Sequence, residues 1–522
     1  MLHDLADADG PVTLVADVAV VGAGIAGLVL ATRLARAGLS TVVVESGGRG
    51  GDEAHPLNAV ESDGAPYRGA ELGRRRGLGG TSTRWGGALL PFLPEDLGPR
   101  PELGVPAWPV GYDELAPWLA QAEALFGLAP GPYEARPLGD AGDGCDFLPR
   151  EAKWPTFRRR NVATLLSADV ASPALAVWLN ATVTGLRIDR SAGRIAGLEA
   201  RHVGGEALTV HAPDTVLCAG AIETTRLLLY LERQSEGRLA SPHLGRALQD
   251  HVSLPLAHVV TPCPSALNRL AGFRFDRGTM RSLRFELSPQ ARSRDGVAGG
   301  FVHIAPRALQ PTGFDAVRDL LRSLQQGRPD AGAALRTLRD VPYLARLATW
   351  RYGRRRLCWP RPAAYDVHLV AEQTPSTHNA ITLSRQLDAL GVPRAHVAWA
   401  VREADARTFR AMASAFDAYW ATALGAYGRL AWPVAPRALT LEHLGGADDI
   451  FHPVGTTRMA TSATGGVVDG SLAVWGVDGL SVAATSAFPC GGTANPTMTL
   501  VGMTLRLADR LARQHRWSSV AA

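Results

Sequence analysis

Asp17-Val18-Ala19-Val20-Val21-Gly22-Ala23-Gly24-Ile25-Ala26-Gly27, then Leu28 to Ala37, Gly38, Thr41-Val42-Val43-Val44 and Glu45, is the stretch that decides the fold. Its first five residues are a short β-branched run, the pattern of a buried parallel strand. Leu28 to Ala37 reads as a helix with Gly38 at its C-terminal end. Thr41 to Val44 reads as a second strand with an acid at its tip. Each glycine has a task in such a unit. Gly22 makes the tight turn, Gly24 lets backbone approach a pyrophosphate, and Gly27 lets helix and strand pack closely. The helix N-terminus offers unpaired N–H groups and a partial positive charge to phosphates. Glu45 lies 18 residues past Gly27, the right distance for a ribose hydroxyl. The unit predicts a dinucleotide site, against the plainer alternative of a glycine turn made only for packing. On its own it leaves FAD and NAD both open.

The 522 residues exceed what one ordinary core fills, so two domains or one large interleaved unit are expected. Hydrophobic content of 46% and charged content of 20% exclude a disordered or fibrous chain. The net charge of +5 is almost all arginine, since Lys153 is the only lysine. No arginine stripe with interleaved aromatics runs through a domain, so nucleic acid is not an expected partner. Cys145, Cys218, Cys263, Cys358 and Cys490 include no C-x-x-C pair, which speaks against disulfides and zinc and for a reducing compartment. No HExxH or other tight ligand cluster appears, so no metal is expected. The longest uncharged apolar run, Val18 to Thr32, is too short for a membrane span and is broken by glycines. Asp4, Asp7 and Asp9 precede it, where a secretory signal needs a basic start. The expectation is a cytoplasmic protein without membrane partners.

A second glycine-rich loop follows: Arg74-Arg75-Arg76-Gly77-Leu78-Gly79-Gly80-Thr81-Ser82-Thr83-Arg84-Trp85-Gly86-Gly87. Such a loop can set backbone donors against an isoalloxazine ring or its ribityl chain. Trp85 and the apolar Ala88-Leu89-Leu90 argue against a merely flexible surface loop. Trp108-Pro109-Val110-Gly111-Tyr112-Asp113-Glu114-Leu115 then opens a helix to about Phe126, capped at Asp113 or nearby. Val177 to Leu186 is strand-like. Ile195 to Ala200 and Leu208 to His211 suggest a small antiparallel element. Thr215 to Leu228 reads as strand, glycine turn and helix. From about 255 the composition shifts. Trp350-Arg351-Tyr352-Gly353-Arg354-Arg355-Arg356 reads as a solvated face, with a lid and an anion site as alternatives. Asp366 to Val370 and Ala380 to Ser384 alternate like strands of one antiparallel sheet, and His396 to Val401 is another strand. Asp405 to Tyr427 is a long amphipathic helix.

The order GxGxxG, Gly79-Gly80-Thr81-Ser82-Thr83-Arg84-Trp85-Gly86-Gly87, then Trp108 to Leu115 resembles the glucose-methanol-choline (GMC) oxidoreductases, which bind FAD. The resemblance extends to the Gly245 to His251 segment and to Glu372-Gln373-Thr374-Pro375. It also takes in His452-Pro453-Val454-Gly455-Thr456-Thr457-Arg458-Met459, the strand Gly476 to Ala483 after Trp475, and Asn495-Pro496-Thr497. It implies an α/β chain, α+β overall: an FAD/NAD(P)-binding Rossmann-like domain with an antiparallel-sheet substrate domain. Residues 1–255, with an insertion at 100–175, and residues 441–522 would form the first, and residues 256–440 the second. Implied cofactor contacts are Gly22, Gly24, Gly27, Glu45, Gly79, Gly80, Thr81, Ser82, Trp85, Gly86, Val183, Ala219, Gly220, Asn495, Pro496 and Thr497. In sugar-oxidising relatives a His in an STHW segment tethers the flavin. Arg84 stands at that place here, which implies non-covalent FAD. Ala484 stands where the family has Asp near the ribityl chain, leaving Thr485 or Ser486 to substitute. His251 is read as structural.

The implied catalysts are His452 and Asn495. Oxidising an alcohol requires a carbinol proton to leave oxygen as hydride leaves carbon. A neutral imidazole near its working pKa is a fitting acceptor, so His452 is the expected base. Hydride transfer to flavin N5 is the cofactor's own chemistry. Asn495 would donate to the substrate oxygen and hold it in line. The Asn-Pro pair suits the start of a last helix, Met498 to Leu511, whose N–H groups would face the flavin pyrimidine edge. A core histidine satisfied by backbone is the bland alternative. The loop and the Glu372–Pro375 segment lean towards a sugar. The likeness to GMC enzymes of aminoglycoside antibiotic biosynthesis implies oxidation of the 6-hydroxymethyl of an amino sugar to an aldehyde, with O2 or another electron acceptor. The alternatives are another sugar, a sterol, a choline-like or polyketide alcohol, or a non-catalytic FAD-binding module.

Overall fold

The computed structural model describes residues 1–50, 55–63, 67–135, 145–239, 241–309, 313–325, 329–359 and 363–521. Its first layer is a six-stranded, all-parallel sheet. The order is Leu2–Asp4, Leu175–Leu179, Thr41–Val44, Val18–Val21, Asp214–Leu217 and Leu480–Val482. Val18–Val21 and Thr41–Val44 are buried at every position, as continuous apolar runs demand in a sheet covered on both faces. The helix Ile25–Arg36 packs on this sheet beside the C-terminal helix Thr497–Ala521, which is longer than its sequence pattern suggested. Arg33 pairs with Asp509 at 2.9 Å to tie the two helices, and Trp118 Nε1 donates to the same carboxylate at 3.0 Å.

Three expectations are corrected here. The segment 177–186 is not one strand. Asn180, at φ 54, turns the chain between Leu175–Leu179 of the parallel sheet and Thr182–Asp189 of a separate four-stranded sheet. Asn tolerates this left-handed conformation better than most residues. The helix Tyr112–Leu125 is capped by Gly111 without a side-chain bond, so Asp113 is not its cap. Asp113 instead adds negative charge to the first turn, where it favours the helix dipole. Finally, Ala380–Leu387 and Pro393–Ala398 do not join the sheet of Ala363–Glu372. They form a three-stranded sheet with Glu61–Asp63, and Ser384 Oγ donates to Glu61 at 2.6 Å. Pro375 cannot donate to a ladder and separates the two pieces.

The second layer is an antiparallel eight-stranded sheet. Its centre is Thr279–Leu287, Gly300–Ala308, Ala363–Glu372 and His251–Val260. Phe147–Trp154 pairs with Thr279–Leu287, and Asp448–Asp449 pairs with His251–Val260. The helix Glu403–Tyr419 covers it through Phe409, Met412 and Phe416. The sheet therefore draws on the 100–175 insertion and on residues past 440, and the expected boundary at 255/256 falls inside the strand His251–Val260. Among the described residues no helix is long and apolar enough to cross a membrane, and all five cysteines are free.

Candidate active site

The glycine turn is enforced by contact. Gly22 sits at φ 101, and a Cβ there would meet the Cys218 carbonyl oxygen at 2.9 Å. A Cβ on Gly27 would lie 1.9 Å from the Gly22 oxygen, so helix and strand could not close. Gly24 differs: no atom lies within 4 Å of its would-be Cβ, and it opens onto a cleft. It is also the N-cap of Ile25–Arg36 and supplies no side-chain partner, which leaves first-turn N–H groups for an anion. Val183, Ala219, Gly220, Pro496 and Thr497 line the same cleft. The Gly220–Gln234 helix also starts without a side-chain cap. The cleft then runs into a second cavity of about 660 Å³ through shared walls at Ile25, Thr81, Phe451, His452 and Thr497. A long slot with bare glycine backbone and two uncapped helix starts fits a dinucleotide such as FAD.

Glu45 does more than its sequence position indicates. Its carboxylate accepts from the N–H groups of Ala23 at 2.7 Å, Gly47 at 2.9 Å and Gly77 at 2.8 Å. It thus clamps both glycine loops while still facing the cleft. Burial pushes its pKa up, opposed by those three donors.

The second loop divides into wall and backing. Gly80 presses on the helix start: a Cβ there would meet Gly24 Cα at 2.9 Å. Thr81, Trp85 and Gly86 face the second cavity, and Trp85 Nε1 donates to the Arg160 carbonyl at 2.8 Å. Gly27, Gly79 and Ser82 stand behind the wall, contrary to their expected part as direct contacts. Gly79 N–H donates to Ala23 O at 2.9 Å. The fully buried Ser82 hydroxyl donates to Gly79 O and accepts from Val162 N–H. Arg84, in place of a tethering His, is exposed on the cavity rim. Near the missing Asp, Ala484 lines the cleft and Thr485 donates to Pro453 O at 2.7 Å. Ser486 is fully buried against Thr457 and does not reach the cleft wall.

His452 hangs from a buried acid. Its N–H donates to Asp250 Oδ1 at 2.8 Å, which also accepts from His251 N–H at 2.6 Å. Asp250 Oδ2 accepts from the Tyr67 hydroxyl. Burial pushes the Asp250 carboxyl up to about 8 despite these donors. His251 is buried, with Nε2 on Gly492 O at 2.8 Å and its ring edge-on to His452, centroids 5.3 Å apart. Asp250, His251 and His452 bring donor atoms within 4.8 Å of one another, a grouping that the linear sequence hides. The hydrogen bonds above account for it as the scaffold of His452, and we assign no metal to it. His452 Nε2 lies 3.3 Å from Asn495 Nδ2, and Nδ1 has no hydrogen-bond partner among the described residues. A core histidine satisfied by backbone would look otherwise. Burial, the His251 ring and the Arg284 cation hold the imidazole well below its usual pKa, so it is neutral.

Asn495 is positioned by groups that sequence reasoning did not single out. Gly492 N–H donates to Glu372 at 2.6 Å and the Thr493 hydroxyl to Asp96 at 2.9 Å. Arg100 and Arg292 pair with these buried carboxylates. Arg284 Nη1 donates to Asn495 Oδ1 at 2.9 Å. Glu372 had a signal in the Glu-Gln-x-Pro segment. Arg284, one arginine in an alternating strand, had none.

Family models described as GMC oxidoreductase match residues 111–253 and 375–504, together more than half of the chain. A model of an NAD(P)-binding Rossmann-like domain matches residues 20–64. Two uncharacterized GMC-type oxidoreductases of Mycobacterium tuberculosis are 31% identical over 48% of this chain. The match spans only 44% of the length of those relatives. The 2-methyl-1,2-propanediol dehydrogenase of Mycolicibacterium austroafricanum is 24% identical over 95% of both chains. The 6'''-hydroxyparomomycin C oxidase of Streptomyces lividus is 24% identical over 95% of this chain and 91% of its own. Among solved structures, pyridoxine 4-oxidase from Mesorbium loti superposes with a TM-score of 0.60 at 17% identity, covering 95% of this chain and 98% of the other. That likeness speaks for the fold, and the two matching models for the lineage: the chain belongs to the GMC oxidoreductase family, whose cofactor is FAD.

Proposed function

We propose that the chain oxidises an alcohol to an aldehyde or ketone, with His452 as base and Asn495 as donor to the reacting oxygen. The observation that carries this reading is a neutral imidazole whose Nε2 lies 3.3 Å from an amide nitrogen where the two cavities join. Bound FAD would supply the hydride acceptor. His452 would take the hydroxyl proton, an effect worth roughly 10²–10⁴-fold in rate. Asn495 would bond the oxygen as negative charge gathers on it. In this reading the parallel-sheet part, built from both ends of the chain, holds the cofactor without a covalent bond. The eight-stranded sheet roofs the reacting centre. Gly24, Glu45, Gly80, Thr81, Gly220 and Thr497 would face the cofactor directly, and Gly22 and Gly27 would shape its turn. A cytoplasmic setting belongs to the reading and has the five free cysteines in its favour.

The alcohol itself is narrowed by charge. One relative, the paromomycin-type oxidase, favours the 6-hydroxymethyl of an amino sugar and a place in antibiotic biosynthesis. Against it stands the second cavity. Its described lining residues include Arg74, Arg75, Arg84 and Arg322 and no aspartate or glutamate. A polyammonium sugar would meet like charge there. A neutral sugar or polyol fits this wall better, and a diol dehydrogenase is among the relatives. The test is anaerobic titration of the yellow holoprotein with neutral sugars, polyols, amino sugars and simple alcohols, repeated in air to identify the acceptor. Protein purified without flavin, or bleaching that survives His452→Ala, would overturn the reading.

A further inference from the structure

We infer that Arg284 is a positioning residue: its bond to Asn495 Oδ1 fixes the orientation of that amide and thereby makes Nε2 the basic nitrogen of His452. The inference rests on the proposed function for its catalytic meaning, but its core statement concerns a proton position. An amide side chain has an acceptor end and a donor end, and it can flip. A guanidinium has donors only. Arg284 Nη1, at 2.9 Å, therefore holds the Asn495 oxygen and turns the amide nitrogen towards His452. That nitrogen can only donate. His452 Nε2, 3.3 Å away, must accept and so carries its lone pair, leaving the ring proton on Nδ1. The second N–H of the amide stays available for the substrate oxygen. With the amide flipped, Oδ1 would face the ring, favour a proton on Nε2, and remove base and donor together.

The placement of Arg284 suits this task. It lies on Thr279–Leu287 with 4% of its surface exposed. Its guanidinium rests 3.2 Å above the centre of the Phe301 ring. Glu286 Oε1 makes an ion pair with Nε at 3.7 Å, too long for a hydrogen bond, while its Oε2 accepts from Arg150 at 2.7 Å. Arg284 Nε and Nη2 have no hydrogen-bond partner among the described residues. A buried cation with idle donors costs stability that an apolar residue would not. Its retention in the core calls for a benefit at the site, and the Asn495 bond is where Arg284 meets it. Burial lowers its pKa to about 10, so it stays charged at neutral pH. The charge also polarises the amide and strengthens its donor end.

The test uses Arg284→Met, which keeps the aliphatic bulk, and Arg284→Lys, which keeps the charge. The direct readout is ¹⁵N NMR of histidine-labelled protein, with the His452 signals assigned from His452→Gln. Wild type should show His452 protonated at Nδ1, and Arg284→Met should move the proton wholly or partly to Nε2. In holoenzyme reduced by an active alcohol, Arg284→Met should lose on the order of a hundredfold in the flavin reduction rate with KM little changed. In an Asn495→Ala background the same change should cost no more than about twofold, because its partner is gone. The acid limb of the rate should shift to higher pH in Arg284→Met and stay in place in Arg284→Lys. The groups facing His452 are His251, Asp250, Arg284 and the cavity arginines Arg74, Arg75, Arg84 and Arg322, and only Arg284 differs between these variants. A wild-type ring protonated at Nε2, or an Arg284→Met effect undiminished beside Asn495→Ala, overturns the inference. If no alcohol bleaches wild type, the proposed function fails while the NMR result still decides this point. Should Arg284→Met not fold, Arg284→Lys carries the NMR comparison, and unchanged His452 signals there with an unchanged rate count against the Nη1 bond.

Discussion

His452 Nε2 and Asn495 Nδ2 lie 3.3 Å apart although 43 positions separate them in the chain. Two buried networks deliver them, joined where His251 Nε2 meets Gly492 O. Asp250 suspends the first from the start of a strand, while Glu372, Asp96 and Arg284 hold the second at the entry to the last helix. Truncating Asn495 to Ala removes the donor and leaves the suspension of His452 intact. Flavin reduction by alcohol should then slow about 10²–10³-fold, with FAD content unchanged. Rapid-mixing absorbance under nitrogen reads both. A variant within threefold of wild type excludes Asn495 from the chemistry.

Asp250 offers a sharper contrast. Burial pushes its carboxyl up to about 8, so at pH 7 it is mostly the neutral acid. Asparagine imitates that state: its oxygen can accept both backbone N–H groups that Oδ1 now holds. Asp250→Asn should therefore keep the reduction rate within a few-fold. Asp250→Ala strands two buried N–H groups and the Tyr67 hydroxyl, each worth about 1–3 kcal/mol, and lets His452 drift. Its rate should fall on the order of a hundredfold. Equal losses in the two variants would mean that the charge on Asp250, and not its shape, is what matters.

The pH profile follows from the sign of the His452 shift. A base is active when unprotonated, and the pKa of this base is lowered by burial, His251 and Arg284. Activity is therefore lost only as pH falls through that depressed value, well under the ordinary imidazole range near 6.5. The reduction rate should stay flat from pH 8 to pH 6. A sigmoid centred near 6.5 would place His452 in contact with bulk water or deny it the base role.

Charge at the cavity rim predicts selectivity. Arg322, on Gly313–Gln325, lines the second cavity with Arg84, whose pKa is lowered by burial and then by the Arg322 cation. Arg322→Glu should raise kcat/KM for an amino sugar relative to its neutral hydroxyl analogue, and added salt should shrink the difference. If wild type already prefers the amino sugar, the carboxylates that bind it lie outside the described lining, and the neutral-sugar reading falls.

Legibility in the sequence tracked the distance over which the causes act. The run Val18 to Glu45 could be read directly, because strand, glycine turn and helix are dictated by neighbours along the chain. The break at Asn180 was not legible: apolar residues flank it on both sides, and only its φ of 54 reveals the turn. Neither was the pairing of Glu61–Asp63 with Pro393–Ala398, since register between strands over 300 positions apart leaves no periodic trace. At the site, His452 and Asn495 carried motif signals through family resemblance. Arg284 did not, because a single arginine in a strand acquires its role only from what the fold sets beside it, 211 positions away.

Glu45 is the residue for which a motif reading and a structural reading part most clearly. The fingerprint assigns its carboxylate to a ribose hydroxyl. In the fold that carboxylate already holds Ala23, Gly47 and Gly77, and so joins the first glycine turn to the second loop before any ligand arrives. Glu45→Gln separates the two roles. The amide keeps one acceptor oxygen but turns an NH2 towards a backbone N–H, leaving at least one buried donor unpaired, a loss of about 1–3 kcal/mol. A clamp predicts that the FAD-free protein itself melts earlier, with weaker FAD binding following because both loops loosen. A ribose contact alone predicts weaker FAD binding with the melting temperature of the FAD-free protein unchanged. Circular dichroism melts of flavin-stripped wild type and Glu45→Gln decide between them, and identical melts would remove the clamp.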